Sequence, residues 1–405
     1  MKTFILDNGG YNLKIGLITD DDPILIPNSV VKAKQEKKRV FVAQEQDECI
    51  DKFSLYYVRP IEKGYIVNWD IQQQIWEKAF NRFDDGSSSR IVLTDNNYLM
   101  PALQDSSSEI LFEYFDFESI FKGSASSFIA NHSSQNKKEL CVLVIDSGFS
   151  FTTVAPFYKG SLIQNGLIRI DIGGKALTNK LKDWISYRQL NVTEETHIMN
   201  ECKEDLCFVS QDFSSSLEDL KAKYQGSFHK RYVMPDFHAS FRGVVQDLTT
   251  NHDSSIPSIT LGIERFSVPE ILFRPSDIDV DQMGLAEAVV ASIMKSPIGL
   301  RASLSENIVI VGGSSKFPGF RQRLHAEIRS MMPTEFIINI SEQVQNPETH
   351  AWTMARDYVV ENDDDMNWIG RSEWEERGDS LEYSNFFKTV ASSYDMPENH
   401  ELDKH

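Results

Sequence analysis

The chain has 405 residues, 41% of them hydrophobic and 25% charged, which is the composition of a globular protein long enough for two or more domains. Its 60 acidic and 41 basic side chains give a formal net charge of −19, which argues against direct binding to nucleic acid and suits either solubility or basic protein partners. No apolar run reaches the length of a membrane span and the N-terminus runs straight into a predicted strand, so we expect no signal peptide and no membrane insertion.

The first predicted element is a β-hairpin that turns at Asp7-Asn8-Gly9-Gly10, before a second β-prone run that contains Lys14. Glycine accepts positive φ and leaves room for a ligand beside the backbone, so the N–H groups of such a turn can point at an anion. The aspartate at the strand end can face a hydrated cation that accompanies a phosphate. Because Asp-Asn-Gly is also among the commonest hairpin turns, this motif alone favours only a turn. A third strand is predicted at 24–26, before Pro27.

The next stretch contains the chain's one basic run, residues 32–39, which we interpret as a solvated loop in preference to a binding patch. Asn68 is then a good N-cap for an amphipathic helix. Ile71, Ile75 and Ala79 recur at a spacing of four residues and predict one buried stripe on that helix.

The middle of the chain predicts a helix at 110–115 and then a polar stretch that contains Ser124, Ser126 and Ser127. Four cysteines are spread along the sequence, and neither paired spacing nor a nearby histidine suggests a zinc site. We therefore expect reduced thiols in the core of an intracellular protein at Cys49, Cys141, Cys202 and Cys207.

A second turn of the same kind follows an apolar run at 143–145 and reads Asp146-Ser147-Gly148, with β-prone residues again after it. Two such turns, each opening one half of the chain, predict a duplicated α/β domain that holds a nucleoside phosphate between its halves. Another helix is predicted to open at 171–174, with Leu177, Leu181 and Ile185 on one face.

Two later segments are predicted to be less regular. Residues 236–258 form a polar, loop-like insertion, which is either a docking appendage or disordered. After residue 360 the chain becomes acidic, and residues 379–405 are expected to be a weakly ordered acidic tail.

Several motifs, in order from residue 4 to about residue 352, resemble those of the actin family. They are the two turns above with Lys14 and Gly16, Pro60-Ile61-Glu62 with Asn68-Trp69-Asp70, Lys203-Glu204 with Leu206-Cys207, Arg265-Phe266 with Pro269-Glu270, and Val311-Gly312-Gly313 through Phe320. The resemblance implies an α/β fold of actin-like (RNase H-like) duplicated domains around a central nucleotide cleft. It places one half at 1–132, with a smaller subdomain at about 28–65, and the other at 133–378, with an inserted subdomain at about 175–265.

The resemblance also implies a set of nucleotide-binding residues and a cofactor, ATP with magnesium. The implied residues are Asp7, Asn8, Gly9, Gly10, Lys14, Asp146, Ser147, Gly148, Gly174, Lys203, Glu204, Gly312, Gly313 and Phe317. No residue is assigned as a direct metal ligand. Two features weaken the prediction of a bound nucleotide, because Tyr11 replaces a glycine that lies near the phosphates and Glu348 replaces a lysine that packs near adenine. A bound ATP that acts as a structural staple and an empty cleft therefore remain the two alternatives.

Catalysis is where this sequence departs from the family. The glutamine, aspartate and histidine that position the attacking water in actin correspond here to Ala125, Phe149 and Thr153. None of these side chains can accept a proton from water in that site, so we expect hydrolysis to be very slow or absent, and no catalytic residue is assigned. The filament surfaces are altered as well: the region between Pro27 and Pro60 is shorter than in actin, so filament self-assembly is not expected.

Finer features resemble one nuclear branch of the family, actin-related protein six. They are residues 7–12, 63–70, 113–117 and 144–150, with Asn346-Pro347 and Ala351-Trp352. That resemblance implies a scaffold subunit of the complex that exchanges histone two-A for its Z-type variant, paired with a zinc-HIT subunit and the remodeller ATPase and contacting nucleosomes through the complex. It implies a nuclear location with some cytoplasmic protein. The alternatives are an active actin-like ATPase and a cytoskeletal actin-related protein.

Overall fold

The computed structural model describes residues 1–33, 40–49, 55–83, 88–98, 101–137, 140–222, 228–237, 240–250, 253, 255–342 and 344–377. Most of the basic run at 32–39, part of the polar insertion and the acidic tail at 379–405 lie outside the described residues. Within them, no helix is both long enough and apolar enough to cross a lipid bilayer.

The described chain alternates strands and helices. The strands are β1 Lys2–Asn8, β2 Asn12–Leu17, β3 Ile24–Pro27, β4 Val30–Ala33, β5 Val40–Val42, β6 Leu55–Val58, β7 Ile61–Glu62, β8 Tyr65–Ile66, β9 Ser89–Asp95, β10 Ser119–Ser124, β11 Cys141–Ser147, β12 Thr152–Tyr158, β13 Ser161–Leu162, β14 Ile168–Ile170, β15 Lys230–Val233, β16 Val244–Asp247, β17 Ser258–Leu261, β18 Ile308–Val311 and β19 Ile369–Gly370. The helices are α1 Trp69–Phe80, α2 Pro101–Glu109, α3 Ala125–Lys137, α4 Gly174–Arg188, α5 Thr196–Leu206, α6 Phe213–Ala222, α7 Glu264–Glu270, α8 Leu285–Lys295, α9 Arg301–Glu306, α10 Phe320–Met331, α11 His350–Asn362 and α12 Arg371–Arg377.

The two halves share one arrangement of strands around their hairpins. In the first sheet, ordered β19-β10-β9-β1-β2-β3, strand β1 pairs antiparallel with β2 and parallel with β9. In the second, ordered β13-β12-β11-β18 with β14 beside β12, strand β11 pairs antiparallel with β12 and parallel with β18. Asp7 and Asp146 occupy matching places, because each lies near the end of the strand shared by the hairpin and the parallel pair. The predicted duplicated α/β fold is confirmed.

Side-chain alternation along β1 explains how the first half is packed. Phe4 and Leu6 face one layer, where they meet Ile75, Trp76 and other residues of α1. The intervening Ile5 faces the opposite layer, which contains α3 and α11 and also apolar side chains of β11 and β12 from the second sheet. Helices α3 and α11 therefore lie between the two sheets and hold the halves together through a shared core.

The predicted helix cap is confirmed, and of the stripe predicted on α1 Ile75 and Ala79 are fully buried while Ile71 is partly buried. The Asn68 side chain accepts a hydrogen bond from the backbone N–H of Ile71 at 3.1 Å, so α1 begins where the sequence places it. Leu177, Leu181 and Ile185 of α4 are fully buried. The four cysteines are buried and form no disulfide among themselves.

The polar stretch ends β10 and begins α3, and its serines are buried and bond to one another, with Ser124 Oγ 2.6 Å from Ser127 Oγ. One prediction of irregular structure is wrong. The described part of the 236–258 insertion contains β16, which pairs with β15 in a small sheet ordered β16-β15-β17. In addition, residues 369–377, predicted to belong to the second half, lie on the first: β19 pairs with β10, and Trp374 stacks on Phe112 with ring centroids 5.3 Å apart.

Candidate functional site

A cavity, here called the central cavity, lies between the two hairpin turns. Its volume is about 620 Å³, within the usual range for a site that takes a small molecule or cofactor. Asp7 and Gly9 line it from the first turn, and Asp146 and Gly148 line it from the second. The two turns, which are more than a hundred residues apart in sequence, therefore meet at one site.

The first turn is held rigidly by its neighbours. Lys14 Nζ lies 3.0 Å from Asp7 Oδ2, and the Thr94 hydroxyl donates to Asp7 Oδ1 at 2.6 Å. Burial works against the charge of Lys14, but the Asp7 carboxylate outweighs it and raises the pKa of Lys14, so the lysine stays protonated. A Cβ on Gly9 would lie 2.6 Å from the carbonyl oxygen of Asn12 and 3.0 Å from Lys14 Nζ. Only glycine leaves the backbone open beside this lysine.

The second turn carries a carboxylate without a partner. Burial and the nearby charge of Asp7 raise the pKa of Asp146 to about 6, and Lys14 offsets them only in part. No hydrogen bond or ion pair links the Asp146 side chain to another described residue, so it is available to a ligand. Gly312, with φ of 91°, packs against this turn: a Cβ there would lie 2.6 Å from Asp146 Oδ1 and 2.4 Å from the Ser147 carbonyl oxygen.

The far wall of the central cavity is a network on α4 and α5. Lys203 Nζ donates to the carbonyl oxygen of Gly174 at 3.2 Å, to Thr178 Oγ1 at 2.9 Å and to Asn200 Oδ1 at 2.8 Å. Burial lowers the pKa of Lys203 to about 8. Asn200 also donates to Glu204 Oε1 at 2.7 Å, which fixes that carboxylate at the cavity wall.

The structure brings together almost all the residues that the sequence proposed for the site. Those that line the central cavity are Asp7, Asn8, Gly9, Gly10, Lys14, Asp146, Gly148, Gly174, Lys203, Glu204, Gly312, Gly313 and Phe317. Ser147 is not among the lining residues, because its side chain is fully buried and its hydroxyl lies 3.1 Å from Thr152 Oγ1. It shapes the turn from inside the protein.

Sequence reasoning missed several lining residues. Lys316 Nζ pairs with Glu348 Oε2 at 3.1 Å, and Asn12 donates to Glu348 Oε1 at 3.3 Å. Glu348 stands where actin-like sequences carry a lysine, and Lys316 places a lysine beside it. At the rear of the central cavity lies Asp95, whose pKa burial raises to about 6 although Lys122 opposes the shift. Nothing in the local sequence around Asp95 distinguishes it from a solvated loop residue.

The positions that carry the water-activating groups in actin also line the central cavity: Ala125, Phe149 and Thr153. Phe149 packs on Tyr11, with ring centroids 4.9 Å apart. Among the described lining residues there is no histidine. Five carboxylates and three lysines are present, so a polyanionic ligand would meet net repulsion unless a cation accompanied it.

Replacement of Asp146 by asparagine is expected to make the ligand-free protein more stable at pH 7.5, by about 2–3 kcal/mol. The raised pKa means that the folded state binds a proton more tightly than the unfolded chain, so the ionised carboxylate costs stability above about pH 6. That cost disappears as the pH falls toward 4. Urea titrations at pH 7.5 and pH 4.5 should therefore show a gain that shrinks at the lower pH.

The control for this variant is Asp281→Asn, because Asp281 is exposed. Its stability should match that of the unmodified protein at both pH values. A loss of stability in Asp146→Asn at pH 7.5 would contradict the assignment of an unpartnered, desolvated carboxylate.

Comparison with known proteins places this chain in a recognised family. A family model described as actin matches residues 1–384. The chain is 60% identical over 398 residues to an actin-like protein of Caenorhabditis elegans, covering 98% of this chain and 95% of that protein. It is 36% identical over 386 residues to actin-related protein 6 of Drosophila melanogaster, covering 92% of this chain and 97% of that one. With actin-related protein 6 of Neurospora crassa the identity is 35% over 415 residues, covering 93% and 92%.

Proposed function

This chain belongs to the actin family, and we propose that it is a non-catalytic scaffold subunit of a nuclear chromatin-remodelling complex that exchanges histone two-A for its Z-type variant. The main support for the proposal is sequence identity of 36% and 35%, over more than nine-tenths of this chain, to proteins named actin-related protein 6 from an insect and a fungus. The finer motifs of the sequence agree with it.

The proposed cofactor is ATP with magnesium, held without appreciable hydrolysis. The residues present fit such a group. The turn at Gly9 keeps its backbone open beside Lys14, and Asp146 offers a carboxylate that no described side chain occupies. Lys14 would hold the phosphates, Asp7 and Asp146 would face the hydrated metal, and Glu204 with Lys203 would hold the nucleoside. The cation would relieve the repulsion among the carboxylates of the central cavity.

The lack of hydrolysis is proposed from the side chains around the cavity. Activation of water requires an acceptor within hydrogen-bond reach of the attacking oxygen. Phe149 has no polar atom, and the hydroxyl of Thr153 is far too weakly basic to serve as a general base. Ala125 cannot orient a water molecule at all. The chain would thus use the nucleotide as a bound structural element that stabilises the folded state by linkage.

The proposed partners are the remodeller ATPase subunit and a zinc-HIT subunit, with histones and the nucleosome reached through the complex. The net charge of −19 supports contact with basic proteins and argues against direct DNA binding. We propose a nuclear location with some cytoplasmic protein, no membrane association and no filament self-assembly.

The experiment that tests the scaffold role is affinity purification of the tagged full chain from nuclear extract, followed by mass spectrometry. The remodeller ATPase, the zinc-HIT subunit and the Z-type histone should co-purify in near-stoichiometric amounts. Recovery of cytoskeletal motor or branching subunits in their place, with a cytoplasmic filament pattern for the tagged chain in cells, would replace this proposal with the cytoskeletal alternative.

The nucleotide proposal predicts a binding signal without turnover. Mg-ATP should raise the melting temperature of the unmodified chain and leave Asp146→Asn nearly unchanged. Single-turnover assays with labelled ATP should show no hydrolysis above the uncatalysed rate. The double variant Phe149→Asp with Thr153→His should also remain inactive, because Ala125 still cannot orient water. Rapid turnover by the double variant would show that the third position is dispensable.

A second candidate, an active ATPase, is favoured by one observation. Asp95 lines the central cavity with its Oδ2 atom buried and without a hydrogen-bond partner, and its pKa is raised to about 6, which suits a general base. If the unmodified chain hydrolyses ATP in the single-turnover assay and Asp95→Asn abolishes that activity, the ATPase assignment is correct and the scaffold proposal loses its non-catalytic part.

A further inference from the structure

The side chain of Tyr11 reaches across the central cavity from the first half to the second. Asn200 Nδ2, on α5, donates a hydrogen bond to the Tyr11 hydroxyl at 3.3 Å. The Tyr11 ring also packs against Phe149 of the second turn, with centroids 4.9 Å apart and planes inclined by 51°. The hydroxyl and the ring of Tyr11, in the first hairpin, are thus both held by residues of the second half.

Arg59 covers this pair of rings. Its guanidinium carbon lies 4.6 Å from the centroid of the Tyr11 ring and 5.0 Å from that of Phe149, and its Nη1 donates to the Tyr11 carbonyl oxygen at 3.3 Å. No carboxylate among the described residues forms an ion pair with Arg59. The cation is therefore stabilised by two aromatic faces, one from each half, in a largely desolvated position where such contacts are strongest.

A third contact lies beside the first two. Tyr57, at the end of the small sheet β5-β4-β6, stacks on His197 of α5, with ring centroids 6.2 Å apart and planes inclined by 20°. Arg59 also lies 5.9 Å from the Tyr57 ring. These three contacts across the cleft are formed by aromatic rings, one arginine and one amide, and none of them requires a bound ligand. Elsewhere along the cleft, Arg169 of the second half donates to the carbonyl oxygen of Lys63 at 2.7 Å, and Asn12 donates to Glu348 Oε1 at 3.3 Å.

We propose that Tyr11, Tyr57 and Arg59 of the first half, with Phe149, His197 and Asn200 of the second, form a latch that holds the cleft closed whether or not a nucleotide is present. Phe149 thereby has a structural role, because its ring supplies the face on which the arginine and the tyrosine meet. This inference goes beyond the scaffold role, because it concerns the shape of the ligand-free chain.

The contacts of the latch act together against opening of the cleft. Opening the cleft would expose two aromatic rings to water and separate the Arg59 guanidinium from Phe149, while the hydrogen bond between Asn200 and Tyr11 would be broken. Each contact is modest by itself, but all must break together for the halves to separate. Loss of the cation alone should therefore raise the population of open molecules about tenfold or more.

The test measures the distance between the halves in the full chain after removal of nucleotide with a chelator and a nucleotidase. Spin labels are attached at Val67→Cys, in the first half, and Tyr187→Cys, in the second, because both positions are exposed and the native cysteines are buried. Pulsed electron resonance should give one narrow distance that Mg-ATP leaves unchanged. The Arg59→Gln variant should show a second, longer distance in the nucleotide-free protein.

The matched control is Arg265→Gln. Arg265 lies over the Phe208 ring at 5.1 Å, so it makes the same kind of contact, but within the second half. Its distance distribution should match that of the unmodified chain. If Arg59→Gln does not fold, the same distance is measured in Phe149→Leu, which should also show a second, longer distance in the nucleotide-free protein.

Two results would overturn the latch. One is an unmodified chain that is open without nucleotide and closes on addition of Mg-ATP. The other is an Arg59→Gln or Phe149→Leu variant with an unchanged narrow distance. Failure of the chain to bind ATP or to enter a remodelling complex would leave the measurement intact, so it separates this inference from the proposed function.

Discussion

Replacement of Trp352 by alanine is expected to lower the free energy of unfolding by about 3–5 kcal/mol. The indole is fully buried between the two sheets, and its Nε1 donates to the backbone carbonyl oxygen of Ile5 at 2.9 Å. The absence of a Cβ at Gly16 gives the ring its space, since a Cβ there would lie 2.7 Å from the indole. Alanine would leave a cavity and would remove the hydrogen bond that the indole donates. Urea denaturation followed by circular dichroism measures the loss.

Trp184 provides the matched comparison for this substitution. It lies on α4 and is only partly buried against the core of the second half, so Trp184→Ala should cost less than half as much. Similar losses for the two variants would mean that the layer between the sheets does not hold the halves together as described.

Replacement of Arg323 by methionine is expected to destabilise the protein by about 3–5 kcal/mol. It removes the buried partner of the Glu270 carboxylate and leaves the exposed Arg274, whose Nε lies 3.4 Å from Glu270 Oε1, as its remaining cationic partner among the described residues. Arg323 Nη2 lies 2.8 Å from Glu270 Oε1, and Nη1 donates to Oε2 at 3.2 Å. The two side chains are 6% and 2% exposed. Nη1 also donates to the carbonyl oxygen of Ser210.

The stability lost in Arg323→Met is expected to be smaller at low pH than at neutral pH. Burial already raises the pKa of Glu270, and Arg323 opposes the shift. Without the arginine the pKa of Glu270 rises further, so the folded variant takes up a proton that the unfolded chain does not. The variant should thus regain stability as the pH falls toward 5. Glu270→Leu in the same chain should recover much of the loss, because it removes the buried carboxylate.

A surface pair serves as the reference for Arg323. Arg377 lies 3.0 Å from Glu373 at an exposed helix end, and Arg377→Met should change stability by less than about 0.5 kcal/mol. If Arg323→Met were equally mild at pH 7.5, Arg274 would be compensating the Glu270 charge, and the pair of Arg323 with Glu270 would not supply the stability assigned to it here.

The local turn chemistry of the sequence was enough to predict which two turns meet at the central cavity. Asp7 with Gly9 and Asp146 with Gly148 each mark a hairpin turn next to an apolar strand, and both signals are contained in a few adjacent residues. The N-cap Asn68 is similarly local, since the bond it makes spans three residues. Such features are predictable because the physics that fixes them acts within one turn of chain.

Features formed by distant residues could not be predicted in this way. The bond between Tyr11 and Asn200 joins residues 189 positions apart, and no pattern near either residue indicates it. The polar composition of residues 124–127 gives no indication of burial, but hydrogen bonds among the serine hydroxyls allow these side chains to be buried. The strand β19 has only two residues, so its pairing with β10 is decided entirely by tertiary packing.

The return of β19 to the first sheet affects how the protein can be made. Strands β1, β2, β9 and β10 precede the second half in sequence, but β19, the outer neighbour of β10, and α12, which places Trp374 over Phe112, follow it. The sheet of the first half therefore keeps an uncovered edge at β10 until residues 369–377 have been synthesised. A chaperone that shields this edge on the nascent chain would protect the protein from aggregation at the stage when it is most exposed.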